Sequence, residues 1–272
     1  MPNRKKNLRL LALICLAVLM AGSIFFVKQR TRILYWLNQR QALPEAQTAE
    51  VTSATSATDS LAMSPDNTQK STDPPREENI AAPPPAAYNL KIPFTSQAPF
   101  AVWDHKDEEA CEEAALLMAH RYYTGRAISD KDDARSGIDQ IIEWEKANLG
   151  GVWESTTAAE VARIAKGMLG YQGAHTIANP DVDTIKAAVS AGNPVLVPAA
   201  GRELHNPFFK QPGPLYHMLV IKGYDEDELI TNDPGTRRGA DYRYKYTAVL
   251  AANHDWNGGD VGNGAKVMIV LK

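Results

Sequence analysis

The chain has 272 residues, enough for one large domain or two small ones with a sizeable core. Its formal net charge is −3 and its basic residues form no stripe, which excludes nucleic-acid binding driven by charge. Its two cysteines, Cys15 and Cys111, lie in segments of different character, which excludes a disulfide-stapled scaffold.

Residues 1–9 form a basic tail containing Arg4, Lys5, Lys6 and Arg9. Leu10 to Val27 follow as an 18-residue run without a formal charge, at the short end of what spans a bilayer. A cleaved signal peptide is the alternative, with Ala21-Gly22-Ser23 as a small-residue cleavage site, but Ile24 to Val27 extend the apolar run past it and favour an uncleaved single-pass anchor. The juxtamembrane segment 28–40 carries Lys28, Arg30, Arg32 and Arg40, so charge on the two flanks nearly balances. With a short N-terminus and one C-terminal domain, the expected orientation puts that domain outside the cytoplasm.

Residues 41–88 read as a disordered linker. Of positions 41–90, 28 are Ala, Pro, Ser or Thr, none is Gly, and Tyr88 is the only aromatic, too little apolar surface to build a core. A flexible chain of that length spans about 40 Å, and Pro74-Pro75 and Pro83-Pro84-Pro85 stretch it further.

Residues 89–272 regain periodic patterning as one domain. Leu90 to Phe94 read as an extended segment leading into the polar loop Thr95-Ser96-Gln97. Helices are expected at 109–123, 130–148, 157–168 and 181–191, with Thr157 and Glu160 at capping-box spacing and stops at Gly125, Gly150-Gly151 and Gly192. Strands are expected at 195–198, 216–222, 229–232, 242–246 and 266–271 from their β-branched and aromatic content. Helices first and an antiparallel sheet second make an α+β domain.

Cys111 opens the helix at 109–123, where the partial positive charge and unpaired N–H groups of a helix start favour a thiolate. Glu108, Glu109, Glu112 and Glu113 oppose it. Cys111, Ala114, Ala115, Met118 and Tyr122 also share one apolar stripe, so a core role competes with a nucleophilic one. His217 begins Met218-Leu219-Val220-Ile221, and an acidic turn leads to Leu229-Ile230-Thr231-Asn232-Asp233. If that hairpin folds about position 225 or 226, His217 lies opposite Asp233 or Gly235 and shares a face with Asp233, and a slip of one residue separates them. A carboxylate there would orient the imidazole and stabilise its charged form. Gln97 is a candidate oxyanion donor.

Gly201 to Pro214 is a loop just before His217 that reads equally as a groove wall or as a packing loop. The segment around His254 and Asp255 reads as a helix end rather than a second catalytic pair, with Trp256 packing on the sheet. There is no metal-ligand spacing and no phosphate-binding motif, so neither a metal nor another cofactor is expected.

The segments Ile92 to Gln97, the Cys111 helix, Tyr216 to Asp225 and Thr231 to Thr236 resemble the papain-like cysteine peptidases of the C39-like group, relatives of the peptidases that remove bacteriocin leaders. The resemblance implies a papain-like fold, Cys111 as nucleophile, His217 as general base and acid, Asp233 as orienter and Gln97 as oxyanion donor. Many relatives carry Cys-Gly-Pro at the nucleophile, where this chain has Cys111-Glu112-Glu113. The added carboxylates raise the thiol pKa and repel acidic substrates.

The expected function is a membrane-anchored thiol hydrolase acting on a peptide or isopeptide bond in a peptide or protein substrate. An acyl transferase with the same triad and an inactive anchored binding module are the alternatives.

Overall fold

The computed structural model describes residues 30, 33, 42–48 and 83–272. The hydrophobic run 10–27 lies outside them, and among the described residues no helix is long and apolar enough to cross a membrane.

The four expected helices form close to their predicted bounds because their ends carry local signals. α1 (His105–Glu108) is a single turn capped by Asp104, and α2 (Cys111–Tyr123) follows it. α3 (Lys131–Asn148) starts at Asp130, whose side chain accepts from the N–H groups of Asp132 and Asp133. α4 (Ala158–Gly167) starts with a complete Thr157/Glu160 capping box, and α5 (Val182–Ser190) starts at Asp181, which accepts from the Thr184 N–H.

The sheet comprises β1 (Ala46–Gln47), β2 (Tyr88–Leu90), β3 (His175–Ala178), β4 (Val195–Ala200), β5 (Tyr216–Tyr224), β6 (Glu228–Asn232), β7 (Tyr242–Lys245) and β8 (Val267–Val270), with helix α6 (Tyr246–Ala252) between β7 and β8. One path runs β1-β2-β5-β4-β8-β3, and β6 and β7 branch from β5. Every pairing is antiparallel except β1 with β2. The domain is therefore α+β as expected, although β3 falls between α4 and α5 rather than after all the helices.

α2 is the central helix. Nearly all of its length is buried, including the predicted stripe Cys111, Ala114, Ala115, Met118 and Tyr122, as expected of a helix enclosed by a sheet on one side and helices on the other. α3 packs closely on it through Gly137, where a Cβ would fall 2.7 Å from Leu117 Cδ1.

The linker expectation needs one correction. Residues 42–48, placed in the disordered segment by composition, dock on the sheet: Lys91 N–H donates to Gln47 O at 2.7 Å, Asn89 Nδ2 to Pro44 O at 3.2 Å and Arg243 Nη2 to Ala42 O at 3.1 Å. Strand addition at a sheet edge uses backbone groups that every residue carries, so a segment poor in apolar side chains can still pair.

Candidate active site

β5 and β6 set the relation between His217 and Asp233. Val220 pairs with Asn232 and Ile221 with Thr231, then the register shifts so that Gly223 pairs with Ile230 and Tyr224 with Leu229. Lys222 is the extra residue of this bulge. Continuing the register beyond it sets Leu219 opposite Asp233 and His217 opposite Gly235, so His217 and Asp233 share a face; the register on the turn side of the bulge would put them on opposite faces.

His217 Nε2 lies 2.8 Å from Asp233 Oδ1, with both side chains almost fully buried. That bond leaves Nδ1 as the ring nitrogen able to exchange a proton with a substrate or nucleophile. Phe209 stands edge-on to the imidazole at 5.2 Å between ring centres.

Asp233 is held from several sides. Gly235 N–H donates to Oδ1 at 2.9 Å, while Asn206 Nδ2 at 3.1 Å and Tyr244 Oη at 2.5 Å donate to Oδ2. Burial alone would raise the Asp233 carboxyl, but the His217 charge and the bonds from His217, Tyr244 and the Gly235 backbone outweigh it and hold the pKa below the ordinary value. Asn206 and Tyr244 were not singled out from the sequence. They lie 27 and 11 residues from Asp233, and neither spacing forms a local pattern.

Cys111 sits at the head of α2, 4 % exposed, and α2 packs on β5, the strand that carries His217. The thiol itself donates to Glu112 Oε2 at 2.9 Å and not to the imidazole. Of the three expected groups, imidazole and carboxylate are bonded, while Cys111, on the helix packed against β5, directs its proton to its chain neighbour.

The balance at the thiol also differs from the expectation of a helix-stabilised thiolate. Burial, then the charge and hydrogen bond of Glu112 and the charge of Glu113, push the Cys111 pKa well above its usual value, and the Met218 N–H offsets only part of this. Partial charges at a helix start are outweighed by loss of solvent and a carboxyl in direct contact.

Gln97 lines the same cavity as Cys111 but not in the expected role. Its Nε2 donates to Asp107 O at 2.8 Å and Glu108 O at 3.0 Å, which uses both amide hydrogens. As placed, Gln97 braces the turn that leads into α2.

The cavity holds about 370 Å³ and is walled by Trp103, Glu108, Glu109, Cys111, Tyr216 and Trp256, among others. Phe209 to Pro214 line it too, so the loop before His217 is a groove wall, and through Asn206 and Phe209 it also supports the His217–Asp233 pair. His254 bonds Gly264 O through Nδ1, and Asp255 accepts from the N–H groups of Ala158 and Trp256 and from Tyr216 Oη. They form no second catalytic pair. Trp256 packs on Tyr216, its ring centre 5.6 Å away.

The Peptidase C39 like family matches this sequence over residues 89–258. A crystal structure of a protein from Bacillus anthracis described as C39-like is similar over 67 % of this chain and 95 % of its own, with a TM-score of 0.44 and 17 % sequence identity. No curated protein matches the sequence.

Proposed function

Because this chain belongs to the Peptidase C39 like family, we propose that it is a thiol hydrolase that cleaves a peptide or isopeptide bond through an acyl-enzyme on Cys111. The observation that carries this reading is the buried 2.8 Å His217–Asp233 bond, made from the strand on which the Cys111 helix packs.

His217 takes the thiol proton as sulfur attacks the scissile carbonyl, and Asp233 stabilises the resulting imidazolium. The N–H groups at the head of α2 face the developing oxyanion. His217 then returns the proton to the leaving amine, and water, deprotonated by the same imidazole, releases the acyl group. A thiol that rests protonated suits this sequence, since the proton leaves only as the carbonyl is attacked.

The uncharged run 10–27 supports a second part of the proposal, that the enzyme is held on a membrane with residues 89–272 outside the cytoplasm. Resistance to alkaline carbonate extraction, with the domain open to protease added from outside, tests it.

For the chemistry, the 272-residue chain is incubated with a mixed peptide pool and new amino termini are read by mass spectrometry. New termini that vanish in Cys111→Ala and in His217→Ala support the reading. Identical products from the Cys111→Ala chain overturn it.

A further inference from the structure

The cavity beside Cys111 is built to receive hydrogen-bond donors. Both amide hydrogens of Gln97 are committed to the carbonyls of Asp107 and Glu108, so Gln97, 3 % exposed and on the cavity wall, is left with an Oε1 that is buried and has no partner. Glu112, 2 % exposed and on the same wall, receives the thiol at Oε2, and its Oε1, like Gln97 Oε1, has no partner among the described residues. Buried acceptors without donors are uncommon in folded proteins and point to a group that arrives from outside.

Charge and shape agree with this. Glu108, Glu109 and Glu112 line the cavity against a single cation, Lys210, which is already paired with Glu108 at 2.9 Å. Among the described residues Glu109 accepts one side-chain hydrogen bond, from the Ser155 hydroxyl at 3.5 Å. Trp103 and Trp256 add aromatic faces suited to a cation.

Resting on the hydrolase reading above, we propose that this cavity selects peptides carrying a lysine or arginine side chain next to the scissile bond, with Glu109, Glu112 and Gln97 as the groups that read it. A basic head supplies donors to the two unpartnered oxygens and is drawn by the carboxyl groups. Its alkyl stem packs on the aromatic wall. An acidic side chain would bring only more acceptors to this wall, and its charge would meet the same loss of solvent that raises Glu112 and Glu109.

The test uses synthetic octapeptides with lysine, norleucine or glutamate at one position, moved along an otherwise uncharged sequence. With the 272-residue chain, kcat/KM is expected to favour lysine over norleucine by about tenfold or more, with glutamate poorest and the lysine preference shrinking in Glu109→Gln. A second arm measures binding of the same peptides to the Cys111→Ala chain by fluorescence anisotropy, where lysine should again lead by about tenfold and lose its lead as salt is raised. Cleavage that ignores charge, or binding with no lysine preference, overturns this inference while leaving the hydrolase reading standing. Selective lysine binding without cleavage by the unaltered chain supports this inference and removes the hydrolase reading.

Discussion

The Cys111 thiol donates to Glu112 Oε2 at 2.9 Å, so the sulfur's proton is held by its own chain neighbour. Burial first, and then the charge and bond of Glu112, push the thiol pKa well above its usual value. Glu112→Gln is therefore expected to move the pH profile of Cys111 alkylation to lower pH, with faster reaction at every pH below its midpoint. An unchanged iodoacetamide profile would show that burial alone sets the thiol.

Asp233 holds the imidazole through one oxygen and is itself held through the other by Asn206 and Tyr244. Asp233→Asn should lower kcat by about a hundredfold to ten-thousandfold, because the amide no longer stabilises an imidazolium. Tyr244→Phe removes one hydrogen bond to a charged acceptor, and a loss of about 1.5–3 kcal/mol of stability is expected. Urea unfolding read beside steady-state kinetics checks both.

Gly235 leaves room for the His217 ring. A Cβ there would lie 2.8 Å from Phe209 Cε1 and 2.9 Å from His217 Cε1, closer than such atoms pack. Gly235→Ala should thus displace the imidazole and lower kcat by about tenfold or more, with a smaller change in KM. Normal turnover in this variant would mean that the ring has slack the packing does not suggest.

Glu113 on α2 and Glu145 on α3 form a buried carboxyl pair. Burial, followed by the nearby charge of Glu145, raises Glu113 well above the carboxylate range. Burial likewise raises Glu145 to about 8, with the charges of Glu112 and Glu160 adding to it. A carboxyl whose folded pKa is raised binds its proton more tightly folded than unfolded. Its contribution to stability is complete below the unfolded value of about 4.5 and declines as pH rises through about 8. The urea midpoint should fall between pH 5 and pH 9, and Glu145→Gln should flatten that fall.

The docked segment 42–48 predicts slow hydrogen exchange at the Lys91 amide, whose partner is Gln47 O. Replacing residues 42–48 with a Gly-Ser run should release that protection, and equal exchange rates in the two chains would rule out stable pairing.

The helices were legible because their signals are short-range. Asp130, Thr157 and Asp181 act on N–H groups two or three residues away, and Gly150 and Gly192 stop their helices next to the last turn. β3 was missed because His175-Thr176-Ile177-Ala178 is a short, largely exposed edge strand without alternating burial. The burial of Glu112, Glu113 and Glu145 was equally hidden, since glutamate on a helix normally faces water.

From residue order alone came the linker's composition, the helix at Cys111, the strand bearing His217, the strand that leads to Asp233, and the family they resemble, because caps, periodicity and motif spacing act over a few residues. Three-dimensional packing settled what those patterns left open. The bulge at Lys222 chose the register that joins imidazole to carboxylate, the fold buried the thiol against Glu112, and two backbone carbonyls took up the Gln97 amide. Each of these outcomes depends on groups far apart along the chain or on exclusion of water, and neither is written in any short stretch of sequence.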